Sequence, residues 1–168
     1  VSAIGNPVGT SAAIDTTGAN LIVVVTTSFS SGTSITDNKG NTYSALTPSG
    51  GGWEAKLWYK LNPTVGSGHT FTSTGGYATF CVAAFSGVDT GVGLDSQSKV
   101  DRTGALTSLA QSSLTPAANN SLVVAGWAWS DYPGRSFSSV NGGFAVASTY
   151  PGGSFIYGAA LTYLVQTT

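Results

Sequence analysis

Charge is what this chain has least of. Asp, Glu, Lys and Arg make up 8% of its 168 residues, against roughly a quarter in an average globular protein. The six Lys and Arg form no run, and the formal net charge is −1, so the footprint of a nucleic-acid binder is absent. Cys81 is the single cysteine. No intramolecular disulfide can form, and the apolar neighbours of Cys81 predict a buried, inert thiol. Methionine is missing altogether, position 1 included, which predicts a processed product or a piece of something larger. The opening VSAIGNPVG has no basic segment followed by an apolar one, so no signal peptide is expected within it. No apolar run is long enough to span a bilayer, and none keeps a helical period over about ten residues. A membrane partner and a helical fold are thereby excluded from the reading.

Acid–base groups are as scarce. Glu54 is the only Glu and His69 the only His. A glycosidase needs two carboxylates held about 5 to 9.5 Å apart. Glu54, flanked by Lys56 and Lys60 on one strand face, reads instead as a member of a cross-strand ion pair. A Ser-His-Asp triad needs an elbow serine, and no GxSxG turn occurs, so His69 reads as a solvated histidine at a strand end. No enzyme is expected. A hydrolase built on Glu54 is the remnant alternative.

What the chain does have is glycine, hydroxyls and β-branched residues. Leu21 to Val25 is a branched apolar run, and Asp37-Asn38-Lys39-Gly40-Asn41 after it is a turn cluster. Asn41 to Leu46 then reads as the return strand of a hairpin. Ile4, Val8 and Ile14 are the expected anchors of the first eighteen residues. Trp53 to Leu61 alternates, with Trp53, Ala55, Leu57, Tyr59 and Leu61 on a dry face. Glu54, Lys56, Trp58 and Lys60 share the opposite, wet face.

His69 to Thr74 reads as a short polar strand. Tyr77 to Ser86 is apolar on both faces and so predicted to be central. A short strand near Ser96 to Val100 and a weaker one over Ala105 to Thr115 are expected, then a strong one over Ser121 to Ser130. Phe144 to Thr149 and Phe155 to Gln166 close the pattern as a hairpin. Many short strands separated by glycine-rich turns predict an all-β domain over residues 1–168, an antiparallel two-sheet sandwich of jelly-roll or Greek-key type. Ala-Asn stands before a Val-rich strand twice, at Ala19 and at Ala118, which gives a weak two-fold echo of about 18–86 in 118–166.

Two clusters offer oxygen ligands. Asp37, Asn38 and Asn41 surround Gly40, but Asx-rich turn geometry accounts for them without a metal. Asp89, Asp95 and Asp101 share a polar loop, where a calcium clip stays open as an alternative although EF-hand spacing is absent. No cofactor is expected. The aromatics are more informative: Trp58, Trp127, Trp129, Tyr132 and Tyr150 fall on strands or loop edges. Trp and Tyr exposed on a β-sandwich form stacking platforms for sugar rings or anchors for protein contacts. Trp58, Trp129 and Tyr132 are the candidate contacts, with Asp131 or Arg135 fixing hydroxyls. Core packing is the competing reading for Trp127 and Trp129.

The segments TDNKGNTYSAL, WEAKLWYKLNP, FCVAAFSGVDT and LDSQS resemble a β-sandwich module of bacteriophage virion proteins and secreted bacterial surface proteins. The likeness is strong over the first two-thirds, and NSLVV extends it into the last third. It transfers no site residue. The resemblance implies a structural or attachment role, such as a capsid decoration, head-fibre or tail-associated domain, on a virion or extracellular surface. Its partners would be copies of itself, shell, tail or surface proteins, or glycans.

Overall fold

Among the described residues eleven strands form, in chain order: β1 (Ser2–Pro7), β2 (Gly9–Thr10), β3 (Leu21–Ser28), β4 (Ser34–Asp37), β5 (Ser44–Ala45), β6 (Glu54–Leu61), β7 (Phe71–Thr74), β8 (Thr79–Phe85), β9 (Leu122–Trp129), β10 (Ala145–Tyr150) and β11 (Gly158–Val165). They come from a computed structural model that describes residues 2–7, 9–29, 32–49, 54–74, 78–102, 107–111, 113–129, 136–152 and 157–167. No helix occurs among the described residues, and every strand pairing is antiparallel. The all-β class predicted from the sequence is the observed one.

The strands make three sheets rather than two. A five-stranded sheet runs β1-β8-β3-β6-β5, and two three-stranded sheets run β10-β11-β9 and β2-β7-β4. The reason lies in β3 and β8, which are buried at every position. Side chains alternate across a strand, so a strand that is dry on both faces needs a covering layer on each. Leu21, Val23, Val25, Cys81, Ala83 and Phe85 point to one side and meet Ala159 and Leu161 of the C-terminal sheet. Ile22, Val24, Phe80, Val82 and Ala84 point to the other and meet Ile35 and Phe71 of the small sheet, with Tyr43. Ile4 and Ile14 pack against this second core; Val8 lies outside the described residues. Each core layer has about the thickness of one sheet-to-sheet spacing, roughly 10 Å.

Several local expectations are corrected. The stretch from Asn41 does not return onto β3: β3 pairs with β6 and β8, while β5 pairs with the far side of β6. The two-residue, exposed β5 is too short to cover the eight-residue, fully buried β3. The polar strand expected near His69 does form, as β7, and pairs with β4 and β2. No strand forms over 96–100, nor among the described residues of 105–115. The described residues from Asp95 to Arg102 run irregularly and are held by side chains, with Thr47 N–H donating to Gln97 Oε1 (3.1 Å), Lys99 Nζ to the Pro48 carbonyl (2.9 Å) and Ala117 N–H to Asp95 Oδ2 (2.7 Å). The closing hairpin is present as β10 and β11.

Candidate functional site

The most developed polar constellation is centred on Asp37, at the end of β4. Gly40 takes φ 77° in the turn that follows, a conformation that glycine adopts without steric cost. The turn wraps the backbone around the Asp37 carboxylate. Oδ1 accepts the N–H groups of Lys39 (2.9 Å) and Asn41 (3.0 Å). Oδ2 accepts Asn41 Nδ2 (2.8 Å) and the Tyr43 hydroxyl (2.6 Å). His69 Nε2 also approaches Oδ2 at 3.0 Å, but off the line of a well-aligned hydrogen bond. On the other side of the ring, Nδ1 lies 2.8 Å from Thr16 Oγ1, and Gly66 N–H donates to that oxygen at 3.1 Å. An Nε2–H tautomer, assigned from this network, leaves Nδ1 to accept the Thr16 hydroxyl proton. The imidazole also stacks on Phe71, with ring centroids 4.3 Å apart.

Hydroxyl, imidazole and carboxylate thus stand in the order of a nucleophile–base–acid triad. Burial decides what the arrangement does. The side chains of His69 and Asp37 are 0% exposed and Thr16 is 1% exposed. The expectation of a solvated histidine is therefore overturned: His69, which bridges Ile14 two residues before β7, is buried, as are Phe71 and Ser73 at alternate positions after it. Period-two spacing of HTFTS was the signal that sequence reasoning passed over.

Burial alone would raise the Asp37 carboxyl, but the hydrogen bonds from Tyr43 and Asn41, with a smaller contribution from the nearby His69, outweigh it and hold the group below the usual carboxylate range. Burial, then the hydrogen bond to Asp37 and lastly the Asp37 charge, push the Tyr43 phenol well above its ordinary value. The rest of the turn faces the Asn62–Thr70 loop. Asn38 exchanges side-chain bonds with Gly68 O (2.9 Å) and Thr70 N–H (3.0 Å), and Asn41 with Thr64 O (2.9 Å) and Thr64 N–H (2.7 Å). Lys39 Nζ reaches Ser67 O at 3.0 Å. The Asx-turn geometry expected of this cluster is what the structure shows, and its polar atoms are spent on clamping one loop to another.

The second acidic cluster is dispersed. Asp89 accepts Gly91 N–H (2.8 Å), Asp95 accepts Ala117 N–H, and Asp101 lies 3.8 Å from Lys99 Nζ. Among the described residues, no three His, Cys, Asp or Glu side chains converge. Glu54 pairs with Lys56 on its own strand (2.9 Å) rather than across strands, and Lys56 in turn lies 5.0 Å above the Trp58 ring.

The face of β6 predicted to be wet is mostly covered, since the small sheet and Tyr43 lie over it. Trp58 is half-buried against the second core and donates its indole N–H to Thr26 Oγ1 at 2.8 Å. Trp129 lies two layers away, on the outer face of the C-terminal sheet. Its ring covers Gly158 and stacks near Phe137 (6.3 Å), and its N–H reaches the Pro151 carbonyl at 3.1 Å. Trp127 shares that face, 5.7 Å from Phe137, and bonds Thr162 Oγ1 at 2.9 Å. Trp58 and Trp129 therefore belong to no common platform. Asp131, Tyr132 and Arg135 lie outside the described residues. The Trp127–Phe137–Trp129 group, which sequence reasoning did not assemble, forms because alternation puts both tryptophans outward on β9.

Cys81 faces the first core, with Sγ 3.5 Å from the Ala159 carbonyl. Burial pushes its thiol up to about 12, against smaller opposing contributions from Ser148 and Tyr150. No helix among the described residues is long and apolar enough to cross a membrane. No known protein family, curated protein or solved structure matches the chain.

Proposed function

We propose that this chain is a non-catalytic structural or attachment module of a virion or extracellular surface assembly, of the kind formed by phage capsid decoration and tail- or fibre-associated domains. The observation that carries the proposal is the burial of the only histidine together with its aspartate and threonine partners. The one triad-like group among the described residues serves to fix three segments to each other. Supporting it, no strand of the C-terminal sheet holds a charged residue, so little desolvation cost opposes contact with a neighbour. The resemblance of the TDNKGNTY and WEAKLWYKL segments to virion and surface modules points the same way.

The test is immunolabelling electron microscopy of the source's particles and cell envelopes. Label on either supports the role, and label confined to the cytosol overturns it. A second reading, a carbohydrate-binding module, is favoured by the partly exposed Trp129 and Phe137 rings on an outer sheet face. It predicts a glycan-array signal that Trp129→Ala abolishes without unfolding the chain.

A further inference from the structure

Proteins with exposed sheet edges blunt them with prolines, charges, bulges or short strands, because an open edge is a template for another strand. Most edges here follow that practice. In the central sheet, β1 ends on Pro7 and β5 is two residues long. In the small sheet, β2 is two residues long, and β4 has four residues and ends on Asp37. In the C-terminal sheet, β10 is interrupted by a bulge between Val146 and Ser148 and is followed by Pro151. The opposite edge, β9, has none of these. It runs eight residues, LVVAGWAW, in unbroken register with β11, without charge or proline. All its residues are partly exposed, and no further strand lies beside it among the described residues.

We infer that the free edge of β9 pairs antiparallel with β9 of a second copy of this chain, about a two-fold axis, so that the two C-terminal sheets join into one. This rests on the assembly role proposed above and names its contact. The absence of charge is what singles out a copy as the occupant. In a two-fold strand pairing, each residue meets residues of the same strand, so any charge near the axis faces its like across about 5 Å and repels it. A different partner imposes no such condition and gains specificity from opposite charges. An axis perpendicular to the sheet also keeps each face on its own side. The outward residues Val123, Ala125, Trp127 and Trp129 then meet outward residues of the copy, and the inward Leu122 and Val124 meet inward ones. Both copies keep their cores intact in that arrangement.

Light scattering of the whole chain over a wide concentration range, with amide hydrogen exchange, tests this. The wild-type chain is expected to reach the mass of a dimer, with β9 amides gaining protection as concentration rises. Val123→Lys places a charge on the outward face of the edge, opposite Leu164 of β11, and is expected to raise the dissociation constant at least tenfold with an unchanged circular dichroism spectrum. Val146→Lys, on the other edge strand and already 46% exposed, is expected to leave the dimer intact. A wild-type chain that stays monomeric throughout overturns the pairing. So does a dimer in which the β9 amides gain no protection, a result that needs no variant to fold. Immunolabelling decides the assembly role separately, so either failure is recognised for what it is.

Discussion

Trp58 donates its indole N–H to Thr26, and the same device recurs between Trp127 and Thr162. In each case the threonine pairs across the ladder with the residue two before the tryptophan: Thr26 with Lys56, and Thr162 with Ala125. In each, the threonine hydroxyl lies 3.4 Å from that residue's carbonyl. A diagonal neighbour on an antiparallel pair is within reach of a long aromatic side chain, so the bond fastens the register of two strands.

Trp58→Phe and Trp127→Phe keep most of the ring area and remove the donor. Each is expected to cost about 1 kcal/mol, the net worth of one such hydrogen bond. Because the sites lie in different sheets, the double variant should lose the sum to within about 0.5 kcal/mol. Urea unfolding curves of the three variants provide the check.

Asp37 should govern the acid limb of stability. Its carboxyl is held low in the folded chain, so its contribution is complete above the unfolded value of about 3.9 and is lost as pH falls through the lower folded value. Asp37→Asn leaves buried donors from Tyr43 and the turn without their carboxylate, and is expected to cost about 3 kcal/mol at pH 7. The gap between variant and wild type should narrow below about pH 4, where protonation removes the charge from the wild-type chain too. Denaturation at pH 7 and pH 3 reads both effects.

Glycine at 126 and at 158 is required for different reasons. A Cβ at Gly126 would sit 2.8 Å from Val25 Cγ2 and 2.9 Å from Leu57 Cδ2, between two sheets. A Cβ at Gly158 would overlap the Trp129 ring on the outer sheet face, so the ring would have to be displaced. Gly126→Ala is therefore expected to cost about 2 kcal/mol by overpacking. Gly158→Ala should cost less but shift the tryptophan fluorescence. Thermal melts with emission spectra separate the two.

Cys81 should be silent toward alkylating reagents in the native chain at pH 8, since its thiol is buried and raised to about 12. Reaction should appear only with unfolding, and mass spectrometry across a urea series should follow the denaturation curve.

Much of this was legible beforehand. The unbroken apolar character of GYATFCVAAF marked β8 as central, and TDNKGN marked its turn, because both depend on side chains within one segment. The third layer was not legible. It depends on β4 and β7, four residues each, whose burial comes from a long-range pairing that no local pattern encodes. The covering of Trp58 and His69 was not legible for the same reason: neither the Glu and Lys beside Trp58 nor the small polar residues around His69 show that distant segments pack against them. The Glu54–Lys56 pair shows how far that covering goes, with both side chains under 15% exposed.

The pairing of β1 with β8, in which Ile4 meets Val82, has a kinetic consequence. The earliest described strand has no neighbour in its sheet until a strand nearly half the chain away has formed, so the central sheet closes only after a long loop has been drawn in. Chains dominated by such distant pairings fold in milliseconds to seconds rather than microseconds. Until closure, the two-sided apolar strands β3 and β8 remain open to neighbouring molecules. Slow refolding that loses yield at high protein concentration is thus written into the same arrangement that makes the finished core dry on both faces.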